Sequence, residues 1–224
     1  FDEFWLTGHV ETPRAEKPIV MLESFRADPE GAPLNSPSGK IQIFSDVVDG
    51  FGYDDCPGHA VWREPTEWLG AETAKTYPLH MISNQPRTRL HGQLDNGRVS
   101  RDSKIHEREP VWIHPVDAEA RGISDGDVVR VFNTRGAALA GVLVTEEVRP
   151  GVIQFATGAW YDPAEPGAEK SLDKHGNPNV LTRDVGTSRL GQGPSAHSAL
   201  VDVARFEDEL PTVTAHKPPQ IVTR

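Results

Sequence analysis

Cysteine is nearly absent. Cys56 is the only one in 224 residues, so no internal disulfide can form and no thiolate pair can hold a metal. The nine histidines never fall at HxxxH or HExxH spacing, so no metal ligand is assigned. No apolar run approaches the roughly 18 residues of a membrane-spanning helix, and no secretory signal opens the chain. Basic residues are outnumbered, 23 against 33 acidic, for a formal net charge of -10. That balance opposes binding along a phosphate backbone, though not a single nucleotide held by local groups. The hydrolase signature GxSxG is missing around "GTS" and "SAHS", and "GQG" (Gly191 to Gly193) has no strand–GxGxxG–helix context. Asp54 and Asp55 are neighbours in a turn and are expected to be solvated. No catalytic residue is assigned, and no internal repeat is visible.

What the chain does have is short strands separated by turns. "YPLHMI" (Tyr77 to Ile82) and "PVWIHP" (Pro110 to Pro115) read as strands. Pro115 and Gly122 bracket a short helix, with His114 in place of a better N-cap. "DVVRVF", "ALAGVLV" and "VIQFA" follow as three strands, divided by "NTRG" and "RPG". Val128, Arg130 and Phe132 alternate with Val129 and Val131, so at least one strand is expected to be buried on both faces. Ala199 to Ala204 alternates as a last strand. Several short strands with one short helix predict a β-barrel with helical inserts over residues 76–207. Residues 208–224 read as an extended, polar, Pro-rich tail.

Residues 1–75 differ. Phe1, Phe4 and Trp5 suit a helix end stopped at Gly8, and "KIQIFS" (Lys40 to Ser45) suits a short strand. Apolar side chains outnumber the periodic elements available to enclose them. This half is expected to be the incomplete tail of an upstream α/β domain, packed on further chain. "FDEFWLTGHVETP" itself reads as the middle of a protein.

Three polar clusters stand at strand ends: Ser83 to Asp95 ("SNQPRTRLHGQLD"), Asn177 to Thr182, and Gly186 to His197. Their amides and hydroxyls suit the edges of a purine or pterin ring, and arginine suits a phosphate. The same residues also build turns, each loop serving its own backbone. Composition does not decide between these readings.

The order of segments adds to this. "LNSPSGKIQIFS", "SNQPRTRLHGQLD", "EPVWIHPVDAEARGISDGDVVRVFNTRG", "PGVIQFATGAWYDP" and "GNPNVLTRDVGTSRLGQGPSAHS" together resemble the C-terminal cofactor-binding region of molybdopterin oxidoreductases. The likeness is to the dimethyl sulfoxide, trimethylamine N-oxide and biotin sulfoxide reductase branch, with wording nearest the biotin sulfoxide reductases. The resemblance implies a six-stranded double-psi β-barrel, mainly β with short helices. It implies a cofactor of molybdenum held by two molybdopterin guanine dinucleotides. It implies reduction of an S- or N-oxide by oxygen-atom transfer in a larger enzyme, with an unknown electron donor. On this resemblance Ser83, Asn84, Gln85, Arg89, His91 and Gln93 fall on a first cofactor loop, and Asn177, Asn179 and Gln192 on later ones. Arg89 would neutralise a phosphate, and His91 would bond a pterin or phosphate. The metal-ligating serine of that branch lies upstream and has no counterpart here, so the chain alone is expected to be inactive. Members occur in cytoplasm and periplasm; bacterial cytoplasm is favoured here. A non-catalytic double-psi barrel interaction module is the competing function, and a nitrate or formate reductase is disfavoured by "GNPNVLT" and "GTSRLGQG".

Overall fold

The computed structural model describes residues 1–14, 17–195 and 197–218. It divides into two compact units, Phe1–Val61 and Trp62–Arg224. Among the described residues the second holds six strands: β1 (Leu79–Ile82), β2 (Pro110–Ile113), β3 (Val128–Phe132), β4 (Ala137–Val144), β5 (Val152–Phe155) and β6 (Ala199–Arg205). They close into a barrel in the order β1-β5-β2-β4-β3-β6.

Two of the pairings are parallel, β1 with β5 and β2 with β4. β1 and its successor β2 therefore run antiparallel with β5 inserted between them. β4 and its successor β5 run antiparallel with β2 inserted between them. Each arrangement is a ψ-loop, and the two interlock by sharing β2 and β5. The barrel is thus of the double-psi kind.

Period-two alternation fills its interior. Met81, Val111, Ile113, Val131, Ile153, Phe155 and Val201 are all at or near zero exposure and pack as one core. β3 is not buried on both faces: Arg130 is exposed and lies over the Phe132 ring at 4.6 Å. β4 takes that role, buried from Ala138 to Val142. Its outer face is covered by Ile105, admitted because residue 141 is glycine. A Cβ there would stand 2.3 Å from the Ile105 Cβ.

Before β2 lies helix α1 (Arg98–Asp102), and after it α2 (Pro115–Glu119). His114 is a working N-cap, contrary to the sequence expectation. Its Nδ1 accepts the Val116 N–H at 3.2 Å, and Pro115 occupies the first helical position. Glu67 closes the barrel seam: it pairs with both Nη of Arg135 at 2.6 and 2.9 Å and accepts the Leu200 N–H at 2.8 Å. Burial opposes its ionisation, but Arg135 and the Leu200 amide hold the carboxyl below its ordinary pKa.

In the first unit a helix over Asp2–Thr7 ends at Gly8, whose φ of 73° gives the left-handed stop expected from the sequence. "KIQIFS" is not a strand. Only an isolated bridge joins Phe44 to His59, and Ile41 and Ile43 are exposed. A lone segment finds no second strand to satisfy its ladder groups, so β propensity does not suffice. Residues 208–218 carry no regular element, and 219–224 of the expected tail lie outside the described residues. Among the described residues no helix is long and apolar enough to cross a membrane.

Candidate functional site

Barrel register builds the floor of a cavity. Trp112 of β2 has Gln154 of β5 as its partner on one side and Leu143 of β4 on the other. Their inward neighbours are core residues, so these three form one row on the outer face of the barrel. Gln154 also pairs with Ile82 at the end of β1. The chain leaving β1 roofs this row. Thr157 donates its N–H to the Asn84 carbonyl at 2.9 Å, which prolongs the β1–β5 alignment into the loop. The result is a cavity of about 370 Å³ between Asn84, Gln85 and Thr88 above and Trp112, Leu143 and Gln154 below.

Two polar atoms of this cavity's roof are buried without a partner: Asn84 Oδ1 and Thr88 Oγ1. A buried polar atom with no hydrogen bond costs about 1–3 kcal/mol, so such atoms are rare unless something else completes them. Their chemistry fits an amide-edged heteroaromatic ring laid on Trp112, the donor and acceptor set of a pterin or guanine.

The rest of the Ser83–Asp95 loop is held from behind. Arg89 is buried, and its guanidinium faces inward: Nη2 lies 3.1 Å from Glu109 Oε1 and Nε 3.4 Å from Asp95 Oδ1. The Nε is not aligned for a hydrogen bond, so that contact is an ion pair only. Lys104 Nζ completes a square at 2.7 Å from both Asp95 and Glu109. Two cations and two anions balance. Burial opposes ionisation of Asp95, yet Lys104, His216 and the Trp160 amide hold its carboxyl well below the ordinary range. Gln85 and His91 clamp each other across the loop. Gln85 Oε1 accepts the His91 N–H at 2.8 Å, and Gln85 Nε2 lies 2.6 Å from His91 Nδ1. His91 has a φ of 50°, and its carbonyl comes so close to Gly158 that a Cβ there would stand 1.9 Å away.

Of the residues expected on cofactor loops, Asn84 and Gln85 line this cavity. Ser83 is buried at the end of β1, and Gln93 is exposed, its backbone N–H donating to the Leu90 carbonyl at 3.0 Å. Asn177 Oδ1 caps the short helix over Pro178–Val180 by accepting the Asn179 N–H at 2.9 Å. Gln192 Nε2 donates to the Ser188 carbonyl at 2.9 Å. These last loops serve their own backbone. Thr88, Trp112 and Gln154 were missed by sequence reading. Trp112 and Gln154 alternate with core residues, a pattern that marks only an outer face.

A cluster invisible to local spacing lies behind the loop. Asp95, His175 and His216 bring ligand-type atoms within 4.8 Å of one another. His175 is fully buried; burial first, and Lys104 second, depress its pKa to about 4, so it is neutral. Donors already present occupy Asp95, and one nitrogen of His175 is spent; His175 Nε2 is buried without a partner. Asp95 takes Lys104 and Ser100 on Oδ1, and the Trp160 amide and His216 on Oδ2. His175 Nδ1 lies 3.0 Å from the Trp160 carbonyl, so it donates there.

Residues 79–200 match the family described as Molydopterin dinucleotide binding domain. Over 222 residues the chain is 48% identical to the dimethyl sulfoxide/trimethylamine N-oxide reductase of Cereibacter sphaeroides, covering 98% of this chain and 27% of that protein. It is 46% identical to the trimethylamine-N-oxide reductase of Haemophilus influenzae over 226 residues, covering 99% of this chain and 27% of that one. The chain therefore spans about a quarter of these relatives' length. Among solved structures, acetylene hydratase from Pelobacter acetylenicus superposes with a TM-score of 0.65 at 22% identity, over 80% of this chain and 25% of that one, a likeness of fold. The relatives' names support the dimethyl sulfoxide/trimethylamine N-oxide part of the expected branch; the leaning toward biotin sulfoxide reductase finds no support in them.

Proposed function

Because the chain belongs to the molybdopterin dinucleotide binding family, we propose that it is the part of a larger molybdenum enzyme that clamps the pterin guanine dinucleotide for reduction of an S- or N-oxide, an N-oxide first. The names of the relatives favour the N-oxide. A single structural observation carries the binding reading: the two orphaned polar atoms, Asn84 Oδ1 and Thr88 Oγ1, in the roof of a cavity floored by Trp112. The implied cofactor, molybdenum with two such dinucleotides, supplies the two-electron chemistry when bound. This chain's residues supply shape and hydrogen bonds. Asn84 and Thr88 would read a ring edge, Trp112 would stack on its face, and Gln154 would complete the rim. Arg89 serves by bracing the loop from within, since its charge is spent on Asp95 and Glu109.

The amino-terminal unit takes a supporting part in the same proposal. Its Trp5, Ile19 and Ile43 are 77, 93 and 86% exposed. Further chain of the same enzyme would cover them.

The test is cofactor content. The full-length protein carrying this chain is purified with Asn84→Leu and, separately, Trp112→Ala, and its guanine and molybdenum are quantified after acid release. Both variants are expected to lose most of each. Unchanged content in both would remove the cavity from the cofactor site. Guanine absent from the unsubstituted protein as well would favour the interaction-module alternative.

A further inference from the structure

The segment 211–217 has no place in the cavity, yet it is tied to the loop that forms the cavity roof. Arg108, buried, donates from Nη2 to the Pro211 carbonyl at 2.6 Å. Asp162 accepts the Thr214 amide and hydroxyl, and the Ala215 amide at 3.1 Å. Lys174 Nζ reaches the Thr214 hydroxyl at 3.0 Å. These bonds fix the segment on Arg108, just before β2, and on the 158–177 loop. From that anchorage His216 crosses to the other loop: its Nε2 lies 3.1 Å from Asp95 Oδ2. Its ring meets Trp160 edge-on at 5.4 Å and His175 at 4.9 Å.

Asp95 ends the Ser83–Asp95 loop and passes the constraint inward. It faces Arg89, whose Nη2 donates to the Thr157 carbonyl at 2.8 Å; the Thr157 amide in turn holds the Asn84 carbonyl. His216 is thus joined to Asn84 through Asp95, Arg89 and Thr157, each step being a hydrogen bond or ion pair. Both oxygens of Asp95 are taken by donors and His175 Nδ1 is spent on the Trp160 carbonyl, so His216 meets Asp95 here as a latch, while His175 Nε2 keeps no partner.

We infer that His216 is a positioning residue: docked on Asp95 by the strap 211–217, it holds Asn84 in the geometry that receives the heteroaromatic ring. The ring's identity rests on the function proposed above; the strap itself does not. Removing the bond takes one of two partners from Asp95 Oδ2, which keeps the Trp160 amide, and leaves the barrel core untouched. The effect should therefore fall on loop order and ligand retention more than on folding.

Full-length protein is prepared unchanged, as His216→Leu and as His216→Gln, and loaded with cofactor. Amide hydrogen exchange across 83–95 and guanine retained after gel filtration are both measured. With Leu, exchange in that loop is expected to quicken roughly tenfold, the loss of one charge-assisted hydrogen bond, and guanine retention to fall. Gln offers an N–H at a similar reach and should restore both. If the Leu form does not fold, Thr214→Val, which removes the hydroxyl anchor on Asp162, carries the same expectation. Unchanged exchange in both the Leu and Thr214 variants would overturn the strap. Faster exchange with full guanine retention would overturn the positioning role. A Gln variant as defective as Leu would overturn the hydrogen bond as its cause. Absence of guanine from unchanged protein would instead sink the function, and exchange alone would still decide the strap.

Discussion

Replacing Asp95 by Asn keeps the shape of the side chain and removes one charge from a buried square of four. Asp95 and Arg89 have no exposed side-chain surface, Lys104 has 2% and Glu109 3%. In the native protein Lys104 lies 2.7 Å from each carboxylate, and Arg89 3.1 and 3.4 Å from them. After the change two cations share Glu109 alone. A unit pair at 4 Å is worth about 4 kcal/mol at an effective dielectric of 20, and Asp95 has two such partners. Releasing Asp95 from its own burial penalty offsets part of this. The net expected is about 3–5 kcal/mol, the usual consequence of leaving a buried charge unmatched. Urea unfolding measures it. With a slope of about 2 kcal/mol per molar, the midpoint should drop by about 2 M. Adding Lys104→Met returns the square to one cation and one anion, so the double variant should recover about 1–3 kcal/mol relative to the sum of the singles. A loss below about 1 kcal/mol for Asp95→Asn, or strict additivity, would refute the square as a balanced unit.

His175 gives a pH dependence of definite sign. Its folded pKa is depressed to about 4, while the unfolded chain takes up the proton near the ordinary 6.5. Between those values the unfolded state binds more protons, so stability present above pH 6.5 falls as the pH drops toward 4, by up to about 3 kcal/mol. Urea midpoints measured across that range should show the slope in the native protein and lose it in His175→Gln; the same slope in both would remove the assignment. At the outer face of β4, Gly141→Ala would push a methyl into Ile105 and cost about 1–3 kcal/mol. Thermal unfolding should show a clear drop, relieved in part by Ile105→Ala, whereas no drop would mean that the cover over β4 is loose.

Much of the barrel was legible because its strands are written in period two. Val111, Ile113, Ile153 and Phe155 alternate with Trp112 and Gln154, and turns at Gly126 and Gly151 divide them. "KIQIFS" shows the limit: alternation proposes a strand, but only a partner makes one. The site was half legible. Asn84 and Gln85 follow β1 directly, so their loop was found from its neighbour. Asn177 and Gln192 looked alike in composition, but each spends a side-chain atom on a nearby backbone group, as short polar side chains in turns do, while Asn179 is exposed. Arg89 looked like a phosphate ligand because its carboxylate partners, Asp95 and Glu109, cannot be told from solvated acids in a chain of net charge -10. His216 and Asp95 are far apart in sequence, and nothing local announces that they meet.

The interlocked ψ-loops govern when this chain can become a barrel. β1 finds its two neighbours only in β5 and β6, the last strands made. At usual synthesis rates of about 5–20 residues per second, β1 waits roughly 6–25 s after leaving Ile82 behind before Arg205 is added. During that interval Leu79 and Met81 stand on a strand with two open edges. Long-range pairing of this kind also slows closure itself, since loop entropy is lost before contacts reward it. Production of the protein is therefore expected to depend on whatever shields a nascent strand, and cooler, slower expression to raise soluble yield only where that shield keeps pace.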